Sequence, residues 1–402
     1  MTASPPRYVG VARPSDLEHA LLLGPDDLSF AWCRADQRVF AAAVGAIAED
    51  VGEVQWRGAP PPRELPGPWF GGWSFDETRA WDGFDLERWV LPEVVAFGPP
   101  GEVWIAAFAR EGTPPEALHA RLDRVCDCVP ASFVNGAVRE PSDRGAWERL
   151  VDEALTSIAS GRLDKLVLAR EVVVHGRRGF DVRTVLLHLL AMHASAWVFL
   201  VRGRHGDAFV GASPETLCVV TEGRLETEAL AGTSRDDAVA SLTSTKERHE
   251  HALVVDGIRA SLRPYVRNFE AAALPALKSQ GRLRHLHTPV SADLLAQVEP
   301  TLAARALHPT PAVAGSPART AVDWLAERED FVRGWYAGAV GVRGAASLHL
   351  AVAIRSALVH GRTARVFVGA GVVPGSLAER EWEETELKAS VMLRALGVAE
   401  GD

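Results

Sequence analysis

Glu381, Glu384 and Lys388 recur at i, i+3 and i+7, a spacing that puts all three on one face of a helix. Glu247 and Glu250 repeat the i, i+3 interval inside "TKERHEHALVVDG". Two such acidic pairs suit a magnesium ion, which takes oxygen ligands, keeps several waters and leaves positions for an anionic substrate. The same spacing describes two solvated helix faces, and spacing alone does not separate the two readings. Lys165 opens the apolar run "KLVLAREVVVH", where a hydrated cation either snorkels outward or serves chemistry. Glu215 in "FVGASPETL" follows a proline at a strand end, where partial burial would let the carboxyl keep its proton. Arg355 reads as internal to the strand "LAVAIRSALV" and calls for a carboxylate partner. Tyr336 in "RGWYAGAVG" reads as a core aromatic with a polar tip. Gly369 and Gly371 in "VFVGAGVVPGS" match a dinucleotide fingerprint poorly, but would let backbone N–H groups approach a carboxylate closely.

The elements that must position these residues are alternately strand-like and helical. Strand candidates are "VWIAAFA", "AWVFLVRG", "DAFVGAS", "LCVVTEGRLET", "HLAVAIRSALVHG" and "ARVFVGAG"; turns of hairpin length such as "HGRT" favour antiparallel pairing, hence α+β rather than a doubly wound parallel sheet. Helical periodicity runs through "AWERLVDEALTSIASGRLDK" to about Gly161, through "STKERHEHALVVDGIRASLRPYV" and "PARTAVDWLAERE", and through the terminal segment, where Ser376 and Glu379 predict a capping box. The stretch "NGAVREPSDRGAW" at 135–147 is the best candidate for an internal division, and no repeat of solenoid period occurs.

The 402 residues carry a formal net charge of −9, with 47% hydrophobic and 24% charged side chains, which suits a globular chain with a large core. Arginines are scattered without a basic stripe, so nucleic acid is excluded as an expected partner. The N-terminal "MTASPPRYVGVARPSD" has no signal-type apolar core, and no membrane span is expected; the expectation is a cytoplasmic protein. Cys33, Cys126, Cys128 and Cys218 include one C-x-C pair without zinc spacing and read as free structural thiols.

Ten segments in order, "KLVLAR", "FVGASPETL", "EALAGTSR", "KERHEH", "HLHT", "LHPTPAVAG", "RGWYAGAVG", "AIRSA", "VGAGVVPGS" and "EWEETELK", resemble the chorismate-utilising enzymes and, within them, the isochorismate synthases. They span roughly 147–395, and "WFGGWSFD" is similar to the isochorismate-synthase version of the more divergent N-terminal part, 1–140. The resemblance implies one intertwined domain over 1–402 with the chorismate-binding, anthranilate synthase component I-like fold: two packed antiparallel sheets with outer helices.

It also implies roles. Glu250 and Glu381 would be magnesium ligands, supported by Glu247 and Glu384, with the ion holding the ring carboxylate of chorismate. Arg355, Tyr336, Gly369 and Gly371 would bind the enolpyruvyl carboxylate, Lys388 would add positive charge, and Gly232, Thr233 and His285 would lie beside the ring. Lys165 would activate water for attack at C2, and Glu215 would protonate the departing C4 hydroxyl, giving isochorismate for menaquinone or catechol siderophore biosynthesis. Ala312 stands in the proline-rich loop "HPTPAVAGSP" where family lyases that expel pyruvate carry threonine. Ala231 stands where a covalent lysine precedes the Gly-Thr pair in aminodeoxychorismate synthases, and the presence of Lys165 favours water over ammonia. Two departures are Thr216, where the family usually has arginine, and Val342–Arg343, where a tryptophan commonly follows "VG". The alternatives are a salicylate synthase that also eliminates pyruvate and a non-catalytic chorismate-binding protein. A monomer or weak homodimer is expected.

Overall fold

Alternate side chains of the strand Trp197–Arg202 enter two different cores: Trp197, Phe199 and Val201 point to one, Val198 and Leu200 to the other. That period-2 division organises the molecule. The structure, a computed structural model, describes residues 7–16, 20, 23–24, 28–49, 51–57, 67–127, 136–235, 245–280, 283–344 and 346–399. Among these residues one sheet has 13 strands and a second has 9.

The larger sheet runs, in hydrogen-bonded order, through Val138–Arg139, Lys165–His175, Thr363–Val372, Ser356–His360, Ala208–Ser213, Trp197–Arg202, Leu28–Arg34, Val39–Val44, Val94–Phe97, Trp104–Arg110, Arg7–Pro14 and Glu53–Trp56, with Gly315–Ser316 beside the start of Lys165–His175. Its pairings are antiparallel except that of Arg7–Pro14 with Glu53–Trp56. The smaller sheet runs Val266–Ala271, Leu283–Leu294, Arg224–Arg235, Thr216–Thr221, Ser347–Val352, Ala339–Arg343, Trp69–Trp73 and Glu87–Val90, with Ala276–Gln280 beside Leu283–Leu294. Strands from the first part of the chain therefore complete both sheets: Trp32 pairs with Phe199 in one, and Gly71 with Gly341 in the other.

The inner faces of both sheets share one apolar cluster that includes Phe30, Phe70, Trp73, Phe199, Phe209, Leu350 and Phe367. The outer face of the larger sheet is covered by helices Pro115–Leu122, Val182–Met192 and Ala378–Ala395, which contribute Leu118, Leu186, Leu189 and Met392. Mixed strand and helix segments with antiparallel hairpins, such as the turn at Gly361 (φ 54°), make this the α+β architecture that the sequence implied.

Three local expectations are corrected. The described part of the 135–147 stretch, 136–147, is docked, since Val138 and Arg139 pair with His175 and Val174 before helix Arg144–Ala159 begins. The terminal helix starts at Ala378, with Leu377 in the cap position and no side-chain cap; the Ser376 hydroxyl instead accepts the Val373 N–H at 3.2 Å. Arg355 is not inside a strand. Ala353–Arg355 break "LAVAIRSALV" so that Ser347–Val352 lies in one sheet and Ser356–His360 in the other. Cys33 and Cys218 are free and buried, and burial pushes both thiols up to about 12. No helix among the described residues is long and apolar enough to cross a membrane.

Candidate active site

The chain passes between the sheets at two neighbouring points, and each delivers a chemically important side chain. At the first, Ser213–Pro214–Glu215 joins Ala208–Ser213 to Thr216–Thr221. The Glu215 N–H is accepted by Ser213 Oγ at 3.2 Å, and the Glu215 carbonyl accepts the Val352 N–H at 3.1 Å. At the second, Arg355 adopts a left-handed conformation (φ 53°), and its carbonyl accepts the Ala212 N–H at 3.0 Å. The two turns are thereby stitched together.

A cavity opens at this junction. Its wall includes Lys165, Glu215, Glu250, Ala312, Tyr336, Arg355, Gly369, Gly371, Glu384 and Lys388. Lys165 is 1% exposed, which rejects the snorkelling alternative, and its Nζ lies 2.8 Å from Glu250 Oε1. Lys388 Nζ is 2.6 Å from Glu384 Oε1 and donates to the Gly369 carbonyl at 2.9 Å. Gly369 and Gly371 present one face of Thr363–Val372. A Cβ at Gly369 would stand 3.0 Å from Tyr336 Oη, and one at Gly371 would stand 2.4 Å from Glu250 Oε1, so side chains there would fill the floor of the cavity. Tyr336 stacks on Phe367 with ring centroids 5.2 Å apart.

The ionisation states are polarised. Burial foremost, and then the charge of Glu228, push the Glu215 carboxyl up to about 8, against the opposing pull of Lys165 and Lys278. Burial also works to raise Glu228, but His287, Lys278 and the Thr216 N–H outweigh it and hold that carboxylate down at about 2. Its Oε1 accepts the Thr216 N–H at 2.9 Å, and His287 Nε2 lies 2.7 Å from Oε2. Burial brings Arg355 down to about 10, opposed by Glu384 and Tyr336, and raises the Tyr336 phenol to about 12. With Glu215 protonated, the cavity presents Lys165, Arg355 and Lys388 against Glu250 and Glu384. The excess of cations suits an anionic ligand.

The remaining expected residues are distributed as follows. Glu381 is 1% exposed on the helix turn before Glu384 but is not part of the cavity wall. Gly232 and Thr233 fall at a β-bulge between Ala231 and Ser234. His285 pairs with Lys278 across neighbouring strands. The side chains of Glu247, Thr233 and His285 lie outside the described residues. Among the described residues, no three acidic, His or Cys side chains are gathered as a metal cluster. The donor chemistry nevertheless fits a hard divalent cation: Glu250 and Glu384 turn carboxylate oxygens to the cavity, each now balanced by a lysine.

Sequence reasoning passed over Glu228, Lys278 and Thr310, whose hydroxyl donates to Glu215 Oε1 at 3.5 Å. The available signal was an acidic residue amid apolar neighbours in "TEALAG". Thr216 also acquires a reason: its Oγ1 accepts from Trp197 Nε1 at 3.1 Å, and that indole stacks on Trp32 at 4.5 Å. An arginine there could not accept that bond.

Residues 61–397 match the family described as chorismate binding enzyme. The chain belongs to the chorismate-binding enzymes. This chorismate-binding enzyme is 40% identical over 358 residues to the salicylate biosynthesis isochorismate synthase of Pseudomonas aeruginosa, covering 82% of the chain and 74% of that protein. It is 33% identical over 350 residues to isochorismate synthase MenF of Bacillus subtilis, with the same coverage of 82% and 74%. In three dimensions it superposes on the menaquinone-specific isochorismate synthase MenF of Escherichia coli with a TM-score of 0.81, covering 98% of this chain and 95% of that one at 23% identity. It also shares its fold with anthranilate synthase component I of Streptococcus pneumoniae, TM-score 0.71 at 22% identity, covering 92% of each chain. The family's two-sheet α+β fold is thus the fold of this enzyme.

Proposed function

We infer that this enzyme is an isochorismate synthase, and one observation carries the reading. A buried amine, Lys165, and a buried carboxyl held in its acid form, Glu215, line the same cation-rich cavity. A carboxyl held in its acid form is suited to give a proton, and an amine in the same cavity to take one. Lys165, acting as the uncharged amine, takes a proton from water as the water oxygen bonds to C2 of chorismate; the ring double bonds shift, and the C4–O bond breaks as Glu215 gives its proton to the departing hydroxyl. One water enters and one leaves, so the net change is isomerisation. Arg355, Tyr336 and the Gly369–Gly371 floor bind the enolpyruvyl carboxylate. Glu250 and Glu381, with Glu247 and Glu384 in support, would hold magnesium, which when bound supplies positive charge for the ring carboxylate. Lys388 adds charge on the same side.

Ala312 favours release of isochorismate over loss of pyruvate, because a methyl group at that part of the wall has no hydroxyl with which to orient the enolpyruvyl group for elimination. Relatives named for menaquinone and for salicylate biosynthesis share this product. The test is incubation of purified protein with chorismate and magnesium, chromatography of the products, and a lactate dehydrogenase assay for pyruvate. Isochorismate with little pyruvate is the expected result. Stoichiometric pyruvate and salicylate would refute the assignment in favour of a salicylate synthase, and unchanged chorismate in favour of a binding protein.

A further inference from the structure

The strand that begins with Lys165 has two hydrogen-bonding edges. One is paired with Thr363–Val372 throughout, from Leu166↔Val372 to His175↔Thr363. The other is covered in three different ways along its length, the last being the pairing of Val174 and His175 with Arg139 and Val138. Its first residues pair with Gly315 and Ser316, and the Val167 N–H reaches the Ala314 carbonyl at 2.9 Å. Then the neighbouring chain turns away, and two side chains take over. Arg333 donates to the Val167 carbonyl at 2.7 Å, and Glu329 Oε1 accepts the Ala169 N–H at 2.9 Å. Arg333 and Glu329 are themselves joined through both carboxylate oxygens, with Nε–Oε2 at 2.7 Å, and side-chain exposures of 2% and 1%. The second arm of the guanidinium donates to the Val313 carbonyl at 2.8 Å, inside the loop that carries Ala312. The guanidinium also lies over the ring of Phe75 at 4.4 Å, and the Arg333 carbonyl accepts the Tyr336 N–H at 2.9 Å.

The pair therefore touches three parts of the cavity wall at once: the strand of Lys165, the loop of Ala312 and the turn of Tyr336. A planar guanidinium is suited to this task, because its donors leave in fixed directions and a lysine ammonium cannot span the same two carbonyls and a bidentate carboxylate. Gly315 lets the loop come close enough to be clamped. Its φ is 136°, and a Cβ there would meet the Lys165 carbonyl oxygen at 2.3 Å.

We propose that Arg333 and Glu329 are positioning residues, a buried clamp that sets the separation between the Lys165 strand and the Ala312 loop and so governs both turnover and product outcome. The inference rests on the isochorismate-synthase reading for its kinetic consequence but not for its structural one, and the experiment has an arm for each. Arg333→Lys keeps the charge and loses the fork. Hydrogen exchange read by mass spectrometry is expected to rise at least about ten-fold in peptides covering 165–169 and 310–316, with Trp197–Arg202 unchanged. In parallel, kcat with chorismate falls about ten-fold or more, KM changes less, and pyruvate makes up a larger share of the products. Glu329→Gln, which keeps the shape but removes the charge and replaces one accepting oxygen by an NH2 donor, gives an effect in the same direction and serves as the readout should Arg333→Lys not fold. Unchanged exchange in both segments overturns the clamp. Raised exchange with wild-type kcat and product ratio reduces it to a stabilising ion pair and overturns its role in positioning. A wild type that does not turn over chorismate counts against the proposed function, and the exchange arm still decides the clamp.

Discussion

Glu228 carries a fixed negative charge behind Glu215, and removing it should move the pH dependence of the reaction in a calculable way. Glu228 accepts the N–H of Thr216, the residue next to Glu215, and is otherwise held by Lys278 and His287. Glu228→Gln deletes a unit charge close to Glu215; for charges several ångströms apart at an effective dielectric of about 20 that is worth on the order of 2 kcal/mol, or between about one and two pH units. Lys278 then lacks its anion and pulls in the same direction. The sign follows from the chemistry. Glu215 must be protonated to act as an acid, so kcat/KM is lost as pH rises through its pKa of about 8. In Glu228→Gln that alkaline limb should fall by about one to two pH units, leaving a several-fold deficit at pH 7 that is largely recovered at more acid pH. The assay is initial-rate kinetics with chorismate between about pH 5.5 and 9, with circular dichroism at each end to confirm folding. An alkaline limb at the wild-type position in a folded variant would refute the electrostatic argument, and a uniform loss at every pH would show that Glu228 acts only through structure.

Four further outcomes follow from the same geometry. Lys165→Ala and Glu215→Gln should each lower turnover by about 10²-fold or more, as measured by product chromatography; near wild-type turnover in either removes its assigned role. Glu215→Gln should also be more stable than the wild type. The folded pKa of about 8 lies above the unfolded value near 4.5, so the wild type keeps its full stability below about pH 4.5 and loses it progressively up to about pH 8. The gap in urea unfolding should therefore open over that window to on the order of 4–5 kcal/mol, and a constant gap would contradict the raised pKa. Excess EDTA should abolish turnover and added magnesium restore it, and Glu381→Gln should need more magnesium; full activity in EDTA rejects the metal. Ala312→Thr should raise the pyruvate share of the products, and an unchanged share would make Ala312 a packing residue only.

Much of this was legible in the sequence because periodicity reports burial. Trp197–Arg202 and Lys165–His175 alternate or run apolar as strands between two covered faces must, and the C-terminal helix carries Glu381, Glu384 and Lys388 on one side. What escaped was whatever depends on pairing between distant segments. Glu228 lies two residues from the exposed Glu226, so strand alternation puts both on one face and competes with the apolar neighbours in "TEALAG"; Lys278 and His287 from later strands are what engage Glu228. Glu329 and Arg333 have the i, i+4 spacing of an ordinary surface helix pair, yet helix Ala318–Arg328 has already ended and the two are nearly inaccessible. No residue in "EDFVRG" announces that it will cap the edge of a strand some 160 positions earlier.

Arg355 shows how the chemistry and the fold compete at one residue, and it gives a test that separates them. Its φ of 53° is a conformation that costs a side-chain-bearing residue about 1–2 kcal/mol and costs glycine almost nothing. A glycine would suit the backbone, but the sheet crossing is where the cavity needs a guanidinium. That guanidinium is also buried, which by itself favours the uncharged form and brings the group down to about 10. Replacing the side chain by alanine removes the charge but keeps the strained backbone; replacing it by glycine removes both. Elsewhere in a folded chain alanine is the more stable of the two by about 0.5–1 kcal/mol. Here the order should invert, with Arg355→Gly more stable than Arg355→Ala by about 1 kcal/mol in denaturant unfolding, while both lose turnover to the same extent. Equal turnover losses with inverted stabilities would assign the activity to the side chain and the strain to the backbone. If Arg355→Ala proves the more stable, the crossing is not strained, and the reason for the left-handed turn must be sought in the neighbouring Ala212–Arg355 and Val352–Glu215 bonds rather than in a demand of the site.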